Sequence, residues 1–117
     1  MSSKREELVI AKNMHQLFKS RLRGFIDGDP NINVDTIWDH TLCNLGKWIN
    51  NTGKTGFTNF DEIQVLDQVH QKIHATAQEI VNLKRTGNIQ QAEDKMDEIY
   101  DIGDTIMDII DKIEAKI

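Results

Sequence analysis

From Asn88 onward the chain places Ala92, Met96, Ile99, Gly103, Ile106, Ile110, Ile113 and Ile117 at alternating steps of four and three. That spacing is a heptad seam. It predicts one long helix over about 88–117, roughly 44 Å from end to end at 1.5 Å per residue. Ile102 and Ile109 widen the apolar face on one side. A helix of this length with a single apolar face is not stable alone in water. That face needs a cover, from the rest of the chain or from a second copy.

Two further stretches have the same period. Leu8, Ala11, Met14, Phe18, Leu22 and Phe25 form one stripe, opened by a Ser3/Glu6 capping box and closed by "GDPNIN", which holds the only proline. Ile63, Leu66, Val69, Ile73, Ala77, Ile80 and Leu83 form another, starting near Asn59 or Asp61 and ending on Lys84, Arg85 and Gly87. Between them, residues 35–50 read as a shorter helical region carrying Ile37, Trp38, Leu42, Leu45, Trp48 and Ile49, followed by a loop over 50–59. Gly46 in the middle of that region costs about 1 kcal/mol of helix propensity. A bend or a close contact beside Cys43 accounts for it. The expected fold is all-α: an antiparallel four-helix bundle, one domain over residues 1–117, with a short second helical segment carrying the cysteine.

Charge and thiol content narrow the partners. Net charge is −5, with acids and bases interleaved, which disfavours nucleic acid and anionic membrane surfaces, since both select basic patches. No apolar run approaches the roughly 20 residues of a membrane span. The charged start "MSSKREELVIAKN" lacks the apolar core of a signal peptide. A lone cysteine without an export signal points to the cytoplasm, where thiols stay reduced.

The chemistry sits in "DHTLCNLGKW", which holds that cysteine, Cys43. His70 and His74 are four residues apart, on one helical face and inside the apolar stripe. His15 interrupts the stripe of the first helix. Buried imidazoles without partners cost several kcal/mol, and a shared ligand removes that cost. Three such histidines and a thiol, on three segments that must pack together, make a closed tetrahedral set suited to Zn²⁺. Cys43 as a nucleophile would need a base, for which His40 is placed, and an oxyanion loop; the bulky neighbours and missing glycine-rich turn argue against it.

These residues resemble the chemoreceptor zinc-binding domain, a bacterial signalling family. Its pattern is His-x-x-aromatic, then Cys-x-apolar-Gly-x-Trp, then His-x-x-x-His. Here the three elements are "HQLF" (His15, Phe18), "CNLGKW" (Cys43, Leu45, Gly46, Trp48) and "HQKIH" (His70, His74), spanning residues 15–74. The resemblance implies that His15, Cys43, His70 and His74 bind Zn²⁺, with no catalytic role. It implies a homodimer that signals to a chemoreceptor or a diguanylate cyclase, and a stimulus that is zinc itself or an oxidant such as hypochlorous acid. His40 falls outside the ligand pattern and reads as an outer-shell or solvent-facing residue. Asp39 and Asp67 are candidates to accept a ring N–H from a liganding histidine. Two alternatives remain at this point: a hemerythrin-like di-iron oxygen carrier, which wants more histidines and bridging carboxylates, and a metal-free helical interaction module. The heptad seam likewise has two readings, packing within one chain or against a second copy, with Gly103 admitting a close backbone.

Overall fold

The apolar periods fold into helices in a computed structural model that describes residues 4–37, 39–53 and 61–116. Helix α1 spans Lys4–Ile26, with Glu6 and Glu7 in its first turn and Arg23 in its last, charges that oppose the helix dipole. The capping box assigned to Ser3 lies outside the described residues. The chain leaves α1 through Gly28, at φ +95°, with Asp29 N–H donating to the Gly24 carbonyl at 3.0 Å. A left-handed residue at this position favours glycine.

The second helical region differs from the sequence expectation. Residues 35–50 do not form one helix. Asp39 and Cys43 are both extended, at φ −91°, ψ 95° and φ −74°, ψ 141°. Between and after them come a 3₁₀ turn, His40–Leu42, a short helix α2, Asn44–Trp48, and a π-helical turn, Ile49–Gly53. The first part of the expected 50–59 loop is thus helical, and 54–59 lies outside the described residues. Length supplies a physical reason. The segment runs from Asp35, which pairs with Arg85 at 3.1 Å, down to Gly53, which packs near Ile63. Along an α-helix, 63 to 85 is about 33 Å, whereas 35 to 53 would cover only about 27 Å. Extended joints make up the difference.

Helix α3 spans Asp61–Arg85 and helix α4 spans Ile89–Lys116. The link between them turns on Gly87, at φ +86°, with Asn88 N–H donating to the Leu83 carbonyl at 2.8 Å. Ion pairs fix the directions. Lys116 meets Glu62 and Lys95 meets Glu79, so α3 and α4 are antiparallel. Lys12 meets Asp111 and Arg23 meets Glu93, so α1 also opposes α4. Lys84 Nζ donates to the Ile26 carbonyl at 2.7 Å, which aligns α1 with α3 and serves the end of α1. The result is an up-down-up-down bundle whose second member is broken. Such exposed pairs add little energy individually; the core carries the stability. It is built of Leu8, Leu22, Leu45, Ile49, Leu66, Ile73, Ile80, Met96, Ile99, Ile106, Ile110 and Ile113, all under 2% exposed.

The seam of α4 is buried inside this one chain, from Ala92 to Ile113. It therefore gives no separate footing to a dimer. The nearest atoms to a Cβ at Gly103 belong to the Lys19 side chain, whose Cδ would lie 3.1 Å away. Among the described residues, no helix is long and apolar enough to cross a membrane.

Candidate metal centre

Each of the three segments delivers its donor for a local reason. His15 sits on the inward stripe of α1 and is fully buried. His70 and His74 lie one turn apart on the inward face of α3, 0% and 3% exposed. Cys43 is the residue at which the extended joint enters α2, so its side chain sits beside the first amides of that helix. The structure brings these four together. One donor atom from each of His15, Cys43, His70 and His74 lies within 4.8 Å of all the others.

Hydrogen bonding leaves this pocket unsatisfied. Among the described residues, both ring nitrogens of His15 and Nδ1 of His70 are buried without a hydrogen-bond partner. Each such atom costs about 1–3 kcal/mol. His74 is arranged differently. Its Nδ1 is 2.7 Å from the Ile37 carbonyl, which can only accept, so the proton belongs on Nδ1 and the lone pair on Nε2. That Nε2 faces His70 Nε2 at 3.1 Å. With the His74 proton on Nδ1, His70 Nε2–H donates to that lone pair, a bond that a cation at the centre would displace. The donor set, one thiol and three imidazoles, suits zinc in type and number.

Packing holds the rings. Phe18 stacks on His15, with centroids 5.2 Å apart and planes 21° apart, and lies 4.6 Å from the His74 ring. The aromatic of "HQLF" is thus a wall of the pocket. Leu45 and Trp48 anchor α2, at 0% and 5% exposed. Gly46 is the tightest point. A Cβ there would sit 1.8 Å from the His40 carbonyl oxygen and 3.2 Å from His70 Cε1.

Burial dominates the electrostatics. It pushes His15 down to about 3 and His70 down to about 2, with the neighbouring imidazoles adding to the effect. His74 is also lowered by burial, opposed by its bond to the Ile37 carbonyl. Burial raises the Cys43 thiol, while the backbone N–H groups of Leu45 and Gly46 and the charge of Lys47 pull the other way. At neutral pH, then, the three imidazoles are neutral and the thiol keeps its proton when no metal is present.

His40 is half-buried and stands outside the four-donor cluster. Asp39 accepts from the backbone N–H and hydroxyl of Thr41, capping the 3₁₀ turn. The ring partner of His74 is therefore the Ile37 carbonyl, not Asp39. Sequence reasoning missed that carbonyl because every residue carries one. The close contact expected at Gly46 is present, and its partner, which the sequence did not name, is the His40 carbonyl.

Compared with known protein families, the chain matches the model of the chemoreceptor zinc-binding domain over residues 15–81. That is more than half of its length and includes all four clustered side chains. Comparisons with curated proteins and with solved structures find no match.

Proposed function

The chain belongs to the chemoreceptor zinc-binding domain family, and on that premise we propose that it is a cytoplasmic, non-catalytic sensory module that holds one zinc ion with His15, Cys43, His70 and His74. The observation that carries this reading is the convergence of four donors from three segments, with three buried ring nitrogens lacking partners. Bound there, zinc would fill a closed four-donor site and keep the Cys43 sulfur deprotonated. Four protein donors leave no position for a substrate, which favours sensing over Lewis-acid chemistry.

The chain's own residues divide the work. His15 and the His70/His74 pair sit on rigid helices. Cys43 sits at an extended joint of the broken second element, the part of the bundle with least regular structure. The sulfur is thus the donor whose loss frees the most chain. Two stimuli act on it. Metal depletion leaves both nitrogens of His15 and Nδ1 of His70 unpartnered and removes the link through Cys43 between the second element and helices α1 and α3. An oxidant of the hypochlorous acid class is attacked by the thiolate: sulfur gives up two electrons and gains the hydroxyl, and chlorine leaves as chloride. The resulting sulfenic acid is a poor donor. The output is read by a chemoreceptor or a diguanylate cyclase, and the module works as a homodimer.

Protein purified without added metal and analysed for metals is expected to carry one zinc per chain; two irons, or none, would reject the reading. One equivalent of hypochlorous acid is expected to weaken zinc binding by tenfold or more. Cys43→Ser should bind zinc more weakly at the outset and show no further response. An oxidant response equal in both proteins would remove Cys43 as the switch.

Proton linkage gives a second check. With the thiol raised and the imidazoles neutral, zinc binding at pH 7 should release one proton per ion, from Cys43 alone. Affinity should then rise about tenfold per pH unit below the thiol's pKa. Calorimetry in buffers of different ionisation enthalpy measures this number. Release of two or more protons would mean that histidines are charged in the metal-free protein.

A further inference from the structure

His40 stands just beyond the cluster, but at ligand spacing from one of its members. Its ring centroid is 6.0 Å from that of His70, edge-on at 83°. Within the cluster the corresponding separations are 4.6 Å for His70–His74, 5.2 Å for His15–His70 and 6.0 Å for His15–His74. Two imidazoles on one tetrahedral zinc place their centroids about 5 Å apart. His40 is thus no farther from His70 than His15 is from His74.

Its connection to the chain matters equally. His40 opens the 3₁₀ turn three residues before Cys43, and its carbonyl is packed against Gly46. The backbone is pinned while the side chain is half-buried. Among the described residues, no hydrogen bond or ion pair holds the His40 ring. The imidazole and the thiol therefore hang from one short turn that faces His70.

We propose that His40 is a reserve zinc ligand that takes the fourth position when Cys43 can no longer donate. The inference rests on the four-donor zinc reading above. It changes what oxidation does to the site. The site would pass from one thiolate and three imidazoles to four imidazoles, retaining its ion at lower affinity while the 3₁₀ turn and the start of α2 re-pack. Metal loss and thiol oxidation would then leave the module in two different states.

A double-mutant cycle on the full chain tests this, using wild type, His40→Ala, Cys43→Ala and the double variant. Zinc affinity is read by chelator competition and coordination by the cobalt(II) spectrum. His40→Ala alone should change zinc affinity less than about threefold, because its ring is not a ligand while Cys43 is present. Cys43→Ala should lose the thiolate-to-cobalt band, keep tetrahedral d–d intensity, and bind zinc about 10–100-fold more weakly. The double variant should lose the tetrahedral bands and bind at least a further 100-fold more weakly, the loss of a ligand rather than of a neighbour. Equal affinities for Cys43→Ala and the double variant would overturn the proposal. So would a His40→Ala effect of the same size with and without Cys43. His40→Gln, which keeps bulk without an imidazole, gives the same answer should the alanine variant misfold. A wild-type protein without a thiolate-to-cobalt band would instead defeat the underlying zinc reading.

Discussion

Gly46→Ala is expected to lower zinc affinity by about 100-fold or more and to destabilise the protein, against the trend for alanine in helices. Propensity alone predicts a gain of about 1 kcal/mol from this change. The structure reverses the sign, because the new Cβ would lie 1.8 Å from the His40 carbonyl oxygen and 2.9 Å from its carbon. Those atoms are backbone and cannot rotate away. Relief requires the 3₁₀ turn and α2 to separate by more than 1 Å, or His70 to shift, since its Cε1 would be 3.2 Å from the same Cβ. Zinc–ligand distances in a formed site lie within about 0.2 Å of their standard values. Either movement carries Cys43 or His70 beyond that limit. The α3–α4 hairpin does not depend on this contact and should retain its helicity. Gly103→Ala is the matched control. The nearest atoms to its Cβ would be the flexible end of Lys19, so alanine there should stabilise the protein by about 0.5–1 kcal/mol with zinc binding unchanged. Thermal melts and chelator competition on the two variants decide it. Equal behaviour of the two glycines would mean that the His40–Gly46 contact does not position the site.

The contrast between the two glycines also marks how far the sequence could be read. The long helices were legible because each obeys a period: among the described residues, the stripes of α1 and α3 and the seam of α4 are buried or half-buried as their spacing requires. The membership of the cluster was legible for the same reason. His15, His70 and His74 interrupt apolar stripes, and an interruption on a buried face needs an explanation. The broken second element was not legible. Its apolar residues fit a helix, and it breaks at the extended residues Asp39 and Cys43, where the length mismatch with α3 is made up, a property of the assembled bundle. The tautomer of His74 was hidden for a related reason. It is set by the Ile37 carbonyl, a main-chain group 37 residues away in sequence. The seam of α4 had two readings on spacing alone, and only packing chose between them, in favour of one chain.

The metal-free protein is expected to unfold at mildly acid pH, with a midpoint between about pH 4 and 5. His15 and His70 have values of about 3 and about 2 in the fold, against 6.5 for an ordinary imidazole. Between 6.5 and those values the unfolded chain binds protons that the folded one excludes. Stability is therefore fully present above pH 6.5 and falls as the pH is lowered. With two groups the limiting slope is about 3 kcal/mol per pH unit, and His74, lowered in the same direction, steepens it. A drop from pH 6.5 to 4.5 then removes roughly 5 kcal/mol, comparable to the whole stability of a small domain. Zinc shifts the transition to lower pH, because ligation holds the imidazoles neutral and contributes its binding energy to folding. Urea unfolding followed by circular dichroism at half-unit pH steps, with and without zinc, measures both curves. His15→Leu, which replaces an imidazole that has no hydrogen-bond partner with an apolar side chain, should flatten the metal-free curve by about one proton. It should also raise metal-free stability at low pH while weakening zinc binding. A metal-free protein equally stable at pH 7 and pH 4.5 would mean that the imidazoles titrate normally in the fold and are not enclosed as the cluster requires.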